Sequence, residues 1–428
     1  MRPQLEISQI THLHPQHIGT ISADGAWFTY DPAYLAEPDA AAISRSLPLS
    51  TEPFGQAEYQ PYFEGLLAEG FARQALIAEL QLREEDWLSL LIACGRDCIG
   101  DVLIEPTNSN GHEEPAYIPL DPQALKLMFQ DLPTIAEQNA TMCLSLAGAQ
   151  GKTGLAHDPS RPIAEGWLQP QGLAATTHIL KTSPIRDIPE IEFLCMQTAQ
   201  ACGIETAETF LLDLANPVLA VERFDRVIVQ NDQGWHVERL HQEDLCQAFG
   251  MAPGSKYAGL DGGSIHSIAA LIRSVCSLPA RDITSFARQL LFNYVIGNCD
   301  AHLKNFSLLY RPGRYGNQVA ISLSPAYDLV CTAYYPKYSR DMAMMLGDAR
   351  SIDDVAPESF VRVAQDLGVT AKALKSLAVP IVDNVLPSLE SAGEGNMGDV
   401  LASTPYIAED LARDIEPRLA ILRAFCTG

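Results

Sequence analysis

Residues 293–306 read Asn293-Tyr294-Val295-Ile296-Gly297-Asn298-Cys299-Asp300-Ala301-His302-Leu303-Lys304-Asn305-Phe306. An apolar run, Phe292 with Tyr294, Val295 and Ile296, stops at Gly297. Polar side chains follow at once: Asn298, Asp300, His302, Lys304 and Asn305. A carboxylate, an imidazole, an ammonium and amides emerging from a buried run are costly unless ligands satisfy them. Asp300 and Asn305 stand in the order D-x-x-x-x-N, a proton acceptor followed by a hard oxygen donor. That pairing asks for a phosphate site and a second carboxylate elsewhere in the chain.

Composition bounds the search. The 428 residues suffice for two or three compact units with their own cores. With 47% hydrophobic and 19% charged residues the chain is globular rather than disordered. A net charge of −24 repels nucleic-acid backbones, so DNA or RNA contact by this chain alone is not expected. The same charge suits a basic protein partner, and it tolerates ATP where a local basic site and Mg²⁺ offset it. Ten cysteines are scattered with no C-x-x-C, which matches neither a zinc framework nor a disulfide scaffold. The N-terminus carries no apolar signal core and no run approaches 18 apolar residues. A soluble cytoplasmic protein without a membrane partner is the expectation. His12, His14 and His17 lie close together but lack a carboxylate or cysteine at ligand spacing, so they read as a solvated loop.

Residues 1–125 look like a separate α+β cap. Strand candidates at 18–21 and 27–30 bracket the turn Ser22-Ala23-Asp24-Gly25, and helical spacing covers 71–80 and 84–94. The turn-rich stretch 106–120 reads as a linker, and a helix is expected over 122–129. Residues 144–155, LSLAGAQGKTGL, form a glycine-rich loop able to turn backbone N–H groups towards phosphate. Gly151-Lys152-Thr153 has the ending of a Walker loop, but its first glycine would fall at Leu146 and no helix follows. A glycine loop joining two strands fits better.

The following stretches fall in protein-kinase order. Residues 176–181 alternate as a strand ending in Lys181, the place of the lysine that grips the α- and β-phosphates. A helix over 187–202 carries Glu190 and Glu192 in its first turn, and either can pair with Lys181. Strands at 210–213 and 218–224 lead to the position of a hinge. A hairpin joins 227–230 to 235–238, a helix with an acidic first turn is expected over 242–250, and further helices cover 265–274 and 281–294. Strands at 306–310 and 319–323 run into Tyr327-Asp328, where kinases place the second Mg²⁺ carboxylate. Beyond 353 the spacing is helical and serves packing. The expected architecture is an α+β, two-lobed kinase-like fold. It divides into a cap (1–125), a β-rich small lobe (126–226) and a helical large lobe (227–428).

Together, SLAGAQGKT (145–153), THILK (177–181), AVERFDR (220–226), QEDLCQAFG (242–250), IGNCDAHLKNFS (296–307) and SPAYDLV (324–330) resemble the HipA family of bacterial serine/threonine kinases. These are the toxins of toxin–antitoxin pairs associated with persistence. SRSLPLS, YFEGLLAEG and GRDCIGDV look like that family's N-terminal subdomain.

The resemblance implies that ATP is cradled by Ala147, Gly148, Ala149, Gln150, Gly151 and Lys152. It puts Lys181 on the phosphates and Glu222, Arg223 and Phe224 at the hinge. Asp300 becomes the catalytic base, with Lys304 near the γ-phosphate and His302 in support. Asn305 and Asp328 hold Mg²⁺, and Tyr327 lies beside them. Ser145 becomes an autophosphorylation site whose added negative charge expels ATP and silences the enzyme. Gly151 departs from the family pattern, which has Glu there. The resemblance also implies a small DNA-binding antitoxin like HipB, DNA contact only through it, and a protein Ser/Thr acceptor such as an aminoacyl-tRNA synthetase. Two other readings remain. One is a small-molecule or lipid kinase, since D-x-H-x-x-N occurs there too, although no basic membrane-binding surface is evident. The other is a non-catalytic co-repressor scaffold, which would have lost Lys181, Asp300, Asn305 or Asp328; all four are present.

Overall fold

A computed structural model describes residues 3–11, 14–107, 114–129, 151–214, 216–232, 234–257, 259–260, 263–312 and 319–428. They fall into two compact units, each assembled from separated stretches of chain. The first comprises Met1–Ser183, Leu212–Ser255 and Leu309–Val319; the second comprises Pro184–Leu211, Lys256–Leu308 and Ala320–Gly428.

The first unit opens with β1 (Leu5–Thr11), β2 (His14–Ile21), β3 (Trp27–Tyr30), β4 (Phe54–Gly55) and β5 (Val102–Pro106) in one sheet ordered β4-β3-β2-β1-β5. The hairpin expected at Ser22–Gly25 joins β2 to β3, with Gly25 at φ +72°, a conformation that suits glycine. Alternation puts Phe28 and Tyr30 on the inner face, where the short helix α1 (Pro32–Leu35) and α2 (Gln56–Gly65) bring Tyr34, Tyr59, Tyr62 and Phe63. These rings meet mostly edge to face, as quadrupoles favour. Helices α3 (Gly70–Glu79) and α4 (Trp87–Cys94) cover the expected segments. The second begins at Trp87 rather than residue 84 because Asp86 caps it, accepting from the Ser89 N–H at 3.0 Å.

The second sheet has six strands in the order β10 (Thr209–Asp213), β11 (Pro217–Glu222), β9 (His178–Thr182), β7 (Gly151–His157), β8 (Trp167–Gln171), β6 (Ala116–Pro119). β6 corrects the linker reading: residues 116–119 are a strand because β8 supplies their backbone partners. β9 starts two residues late. Thr176 spends its hydroxyl on Asp97, and the Thr177 hydroxyl accepts the His157 N–H. α5 (Pro122–Met128) follows β6, and the hairpin β12 (Arg226–Asn231) and β13 (Gly234–Arg239) forms as its turn predicts.

The helix expected over 242–250 is a strand, β14 (His241–Asp244), followed by one turn of helix, α7 (Leu245–Ala248). Asp244 is its N-cap in a reciprocal pair with Gln247. Glu243 belongs to the strand, and its wholly buried carboxylate accepts from Ser44 Oγ at 2.6 Å and from the Arg45 N–H at 3.1 Å. Gln247 Nε2 donates to Tyr62 O at 2.8 Å. QEDLCQAFG is thus the seam on which SRSLPLS and YFEGLLAEG dock.

The second unit is helical. α6 (Ile188–Ala201), α8 (Ser264–Val275), α9 (Pro279–Ile296), α10 (Pro357–Asp366), α11 (Ala371–Gly393) and α12 (Thr404–Thr427) appear where the periodicity places them. α9 packs on α11 and α12, burying Leu290, Leu291, Val295 and Ile296. Among the described residues no helix is long and apolar enough to cross a membrane.

Candidate functional site

The polar loop begins at Gly297, where α9 stops. Gly297 takes φ +79°, and a Cβ there would lie 2.7 Å from Arg418 Nη2 and 2.8 Å from Ala333 Cβ. Only glycine fits both the left-handed cap and the close approach. Asn298 then organises the turn. Its Nδ2 donates to Asn293 Oδ1 at 2.8 Å and to Asp328 O at 3.3 Å, while its Oδ1 accepts the Asp300 N–H at 3.1 Å. One buried amide ties the helix end, the Asp300 turn and the Asp328 segment together.

Asp300 is exposed at the tip, and its Oδ1 accepts from the Tyr257 hydroxyl at 2.6 Å. His302 and Lys304 are buried, and the Tyr257 and His302 rings meet edge to face at 5.2 Å. Asn305 Oδ1 is buried and has no hydrogen-bond partner among the described residues. An orphaned buried carbonyl oxygen signals a missing donor or cation. Asp328 has φ +55°, a strained conformation for a residue with a side chain. Tyr327 braces both segments, donating to Lys304 O at 2.8 Å and lying 2.7 Å from Ser307 Oγ. The second unit therefore gathers Asp300, His302, Lys304, Asn305, Tyr327 and Asp328 through Asn298 and Tyr327.

In the first unit Lys152 on β7 and Lys181 on β9 are directly paired across the ladder, and Gly151 pairs with Thr182. Directly opposed residues share a face with their Cβ atoms about 5 Å apart, so two buried lysines stand side by side on this sheet. Ala147, Gly148, Ala149, Gln150 and Ser145 lie outside the described residues. Glu190 on α6 accepts from Ser403 at 3.5 Å; Glu192 is buried on the same helix.

Glu222 ends β11, and Arg223 and Phe224 follow it. The Arg223 side chain is taken up elsewhere: its guanidinium donates to both Asp225 oxygens, Thr176 Oγ1 and Cys98 O. Arg226 and Arg239 donate to Asp97 at 3.0 and 3.1 Å, and the Gly100 N–H donates to Asp225. Burial would raise the Asp97 carboxyl, but Arg226, Arg239 and Arg223 outweigh it and hold Asp97 below the ordinary carboxylate range. The FDR and GRD motifs thus form one buried ionic node. Residue spacing gave no hint of it, because Asp97 and Arg226 are 129 positions apart. Tyr257 was also missed, its signal being only an aromatic residue before a glycine-rich stretch.

The chain matches the family models described as HipA-like C-terminal domain over residues 144–389 and HipA N-terminal domain over 10–105. It is 34% identical over 399 residues to Y4mE of Sinorhizobium fredii, whose name gives it kinase status only provisionally; 90% of this chain and 89% of that one are covered. It is 25% identical to the serine/threonine-protein kinase toxin HipA of Shewanella oneidensis over 97% of this chain and 94% of that protein. In fold it is similar to the solved complex of Shewanella oneidensis HipA with HipB and operator DNA. The TM-score is 0.80 at 22% identity, covering 99% of each chain.

Proposed function

The chain belongs to the HipA family of toxin kinases, and from that premise we propose that it is an ATP-dependent serine/threonine protein kinase. The observation that carries the reading is the Asn298-tied loop, which presents an exposed carboxylate, a buried lysine and an orphaned amide oxygen within six residues, Asp300 to Asn305. We divide the roles along the chain as cap (1–125), nucleotide-binding segment (126–226) and catalytic segment (227–428).

The step is in-line transfer of the γ-phosphoryl group. The acceptor hydroxyl oxygen attacks the γ-phosphorus and forms the new P–O bond. The bond to the β-phosphate oxygen breaks, and its electron pair leaves with ADP. The acceptor proton passes to the Asp300 carboxylate. Lys181 and Lys152 neutralise the polyphosphate, and Lys304 offsets charge on the transferring group. Asn305 and Asp328 offer the oxygen donors that Mg²⁺ prefers, and the orphaned Asn305 Oδ1 fits that ligand. Mg²⁺ held by Asn305 and Asp328 would supply positive charge against the charge that develops during transfer.

Ser145 serves as the self-phosphorylation site that silences the enzyme, where about two added negative charges repel ATP. The partners are a HipB-like DNA-binding antitoxin and a protein Ser/Thr acceptor in the cytoplasm, of the aminoacyl-tRNA synthetase kind. The test is incubation of the full chain with γ-labelled ATP and Mg²⁺. Self-labelling slowed about 10²–10⁴-fold in Asp300→Asn supports the reading. A chain that binds ATP normally yet labels neither itself nor any lysate protein would overturn it. Full self-labelling by Ser145→Ala removes the autoregulatory assignment.

A further inference from the structure

We propose that Tyr257 is a positioning residue for phosphoryl transfer, aiming the Asp300 carboxylate at the acceptor hydroxyl; the proposal rests on Asp300 acting as the base. An exposed aspartate at a loop tip rotates about χ1 and χ2, and a base that wanders is productive only part of the time. The backbone of Asp300 is fixed by Asn298, but that bond leaves the side-chain torsions free. Tyr257 supplies the missing restraint. Its hydroxyl donates to Oδ1 at 2.6 Å, the short range expected when the acceptor is ionised. Oδ2 accepts no hydrogen bond among the described residues, so one oxygen is held and the other is available to an acceptor hydroxyl.

The tyrosine is itself held on the loop it steers. The Leu303 N–H donates to Lys256 O at 3.4 Å, and the Tyr257 ring sits edge to face with His302. Backbone, ring and hydroxyl thus grip the loop at residues 303, 302 and 300 in turn. A role in stability explains this less well, because Tyr257 is 53% exposed and a surface hydroxyl contributes little to folding.

The test compares initial self-labelling rates and KM for ATP in wild type, Tyr257→Phe, Asp300→Asn and the double variant. Phenylalanine keeps the ring on His302 and removes only the hydroxyl. The expected result is a rate about tenfold lower for Tyr257→Phe, with KM for ATP and melting temperature unchanged. In the Asp300→Asn background, where transfer is already slowed about 10²–10⁴-fold, removing the hydroxyl costs nothing further. If Asp300→Asn is slow while Tyr257→Phe keeps the wild-type rate, the Tyr257 role fails and the base assignment stands. Additive losses in the double variant, or a raised KM for ATP, would also overturn it. If Asp300→Asn transfers phosphate at the wild-type rate, the base assignment itself falls and Tyr257 with it.

Discussion

Two dense polar clusters in this chain are finished in opposite ways. The node of Asp97, Asp225, Arg223, Arg226 and Arg239 sets two carboxylates against three guanidiniums and is almost entirely closed by protein groups. Arg226 Nε is its buried atom without a partner among the described residues. The loop from Asn298 to Asn305 has a similar polar density but leaves Asp300 exposed and Asn305 Oδ1 unanswered. A cluster that satisfies itself holds structure, and one that leaves oxygens uncommitted is prepared for a ligand. Composition alone does not separate the two; the census of hydrogen-bond partners does.

Substitutions should break that contrast cleanly. The largest effect is expected at Asn305→Ala or Asp300→Asn. Phosphoryl transfer falls by about 10²–10⁴-fold, as measured with labelled ATP, while the melting temperature holds. Asp225→Ala should do the reverse. It leaves three buried guanidiniums facing the single carboxylate of Asp97 and costs about 3–5 kcal/mol of stability in denaturant unfolding of the full chain. If Asp225→Ala lowered transfer without lowering stability, the structural reading of the node would be wrong.

Gly297→Ala sits between the two. The left-handed backbone and the missing space for a Cβ predict a loss of roughly 1–3 kcal/mol together with slower transfer, since the whole loop hangs from that residue.

The smallest effect concerns the seam of the first unit. Burial alone would lower the His241 imidazole, but Asp101 at 2.7 Å outweighs it and raises the group above its ordinary value. Burial likewise raises Glu243, against the hydrogen bonds of Ser44 and Tyr310. Both groups bind protons more tightly folded than unfolded. Their contribution is therefore present at low pH and is lost as pH rises, from about 4.5 upward for Glu243 and from about 6.5 upward for His241. Unfolding followed across that range should show stability declining with pH, and His241→Gln should flatten the upper part of the curve. An unchanged slope in that variant would remove His241 from the seam's pH response.

Much of this was legible beforehand because the signals are local. Strand alternation at 27–30, the acidic start and glycine stop of the helix at 188–201, and the glycine after Ile296 each depend on neighbours in sequence. The residues of the 298–305 loop were legible for the same reason. Long-range pairings were not. Glu243 looked like a helix-favouring carboxylate until Ser44, 199 positions away, proved to be its partner. Residues 116–119 looked like linker because a strand next to β8 needs β8 to exist. Tyr257 carries no motif, and only its 2.6 Å approach to Asp300 marks it.

The discontinuity of the first unit bears on how the protein is made. Its last contribution, Leu309–Val319, follows most of the second unit's loop and helix α9 in the chain. Tyr310 within it donates to Glu243 on the seam. A ribosome delivers residues in order at about 5–20 per second. The cap and its sheet therefore wait several seconds, with the seam incomplete, before Tyr310 emerges. A nascent chain cut short before residue 309 would lack the Tyr310 hydroxyl that donates to Glu243, leaving the seam to Ser44 and the Arg45 N–H.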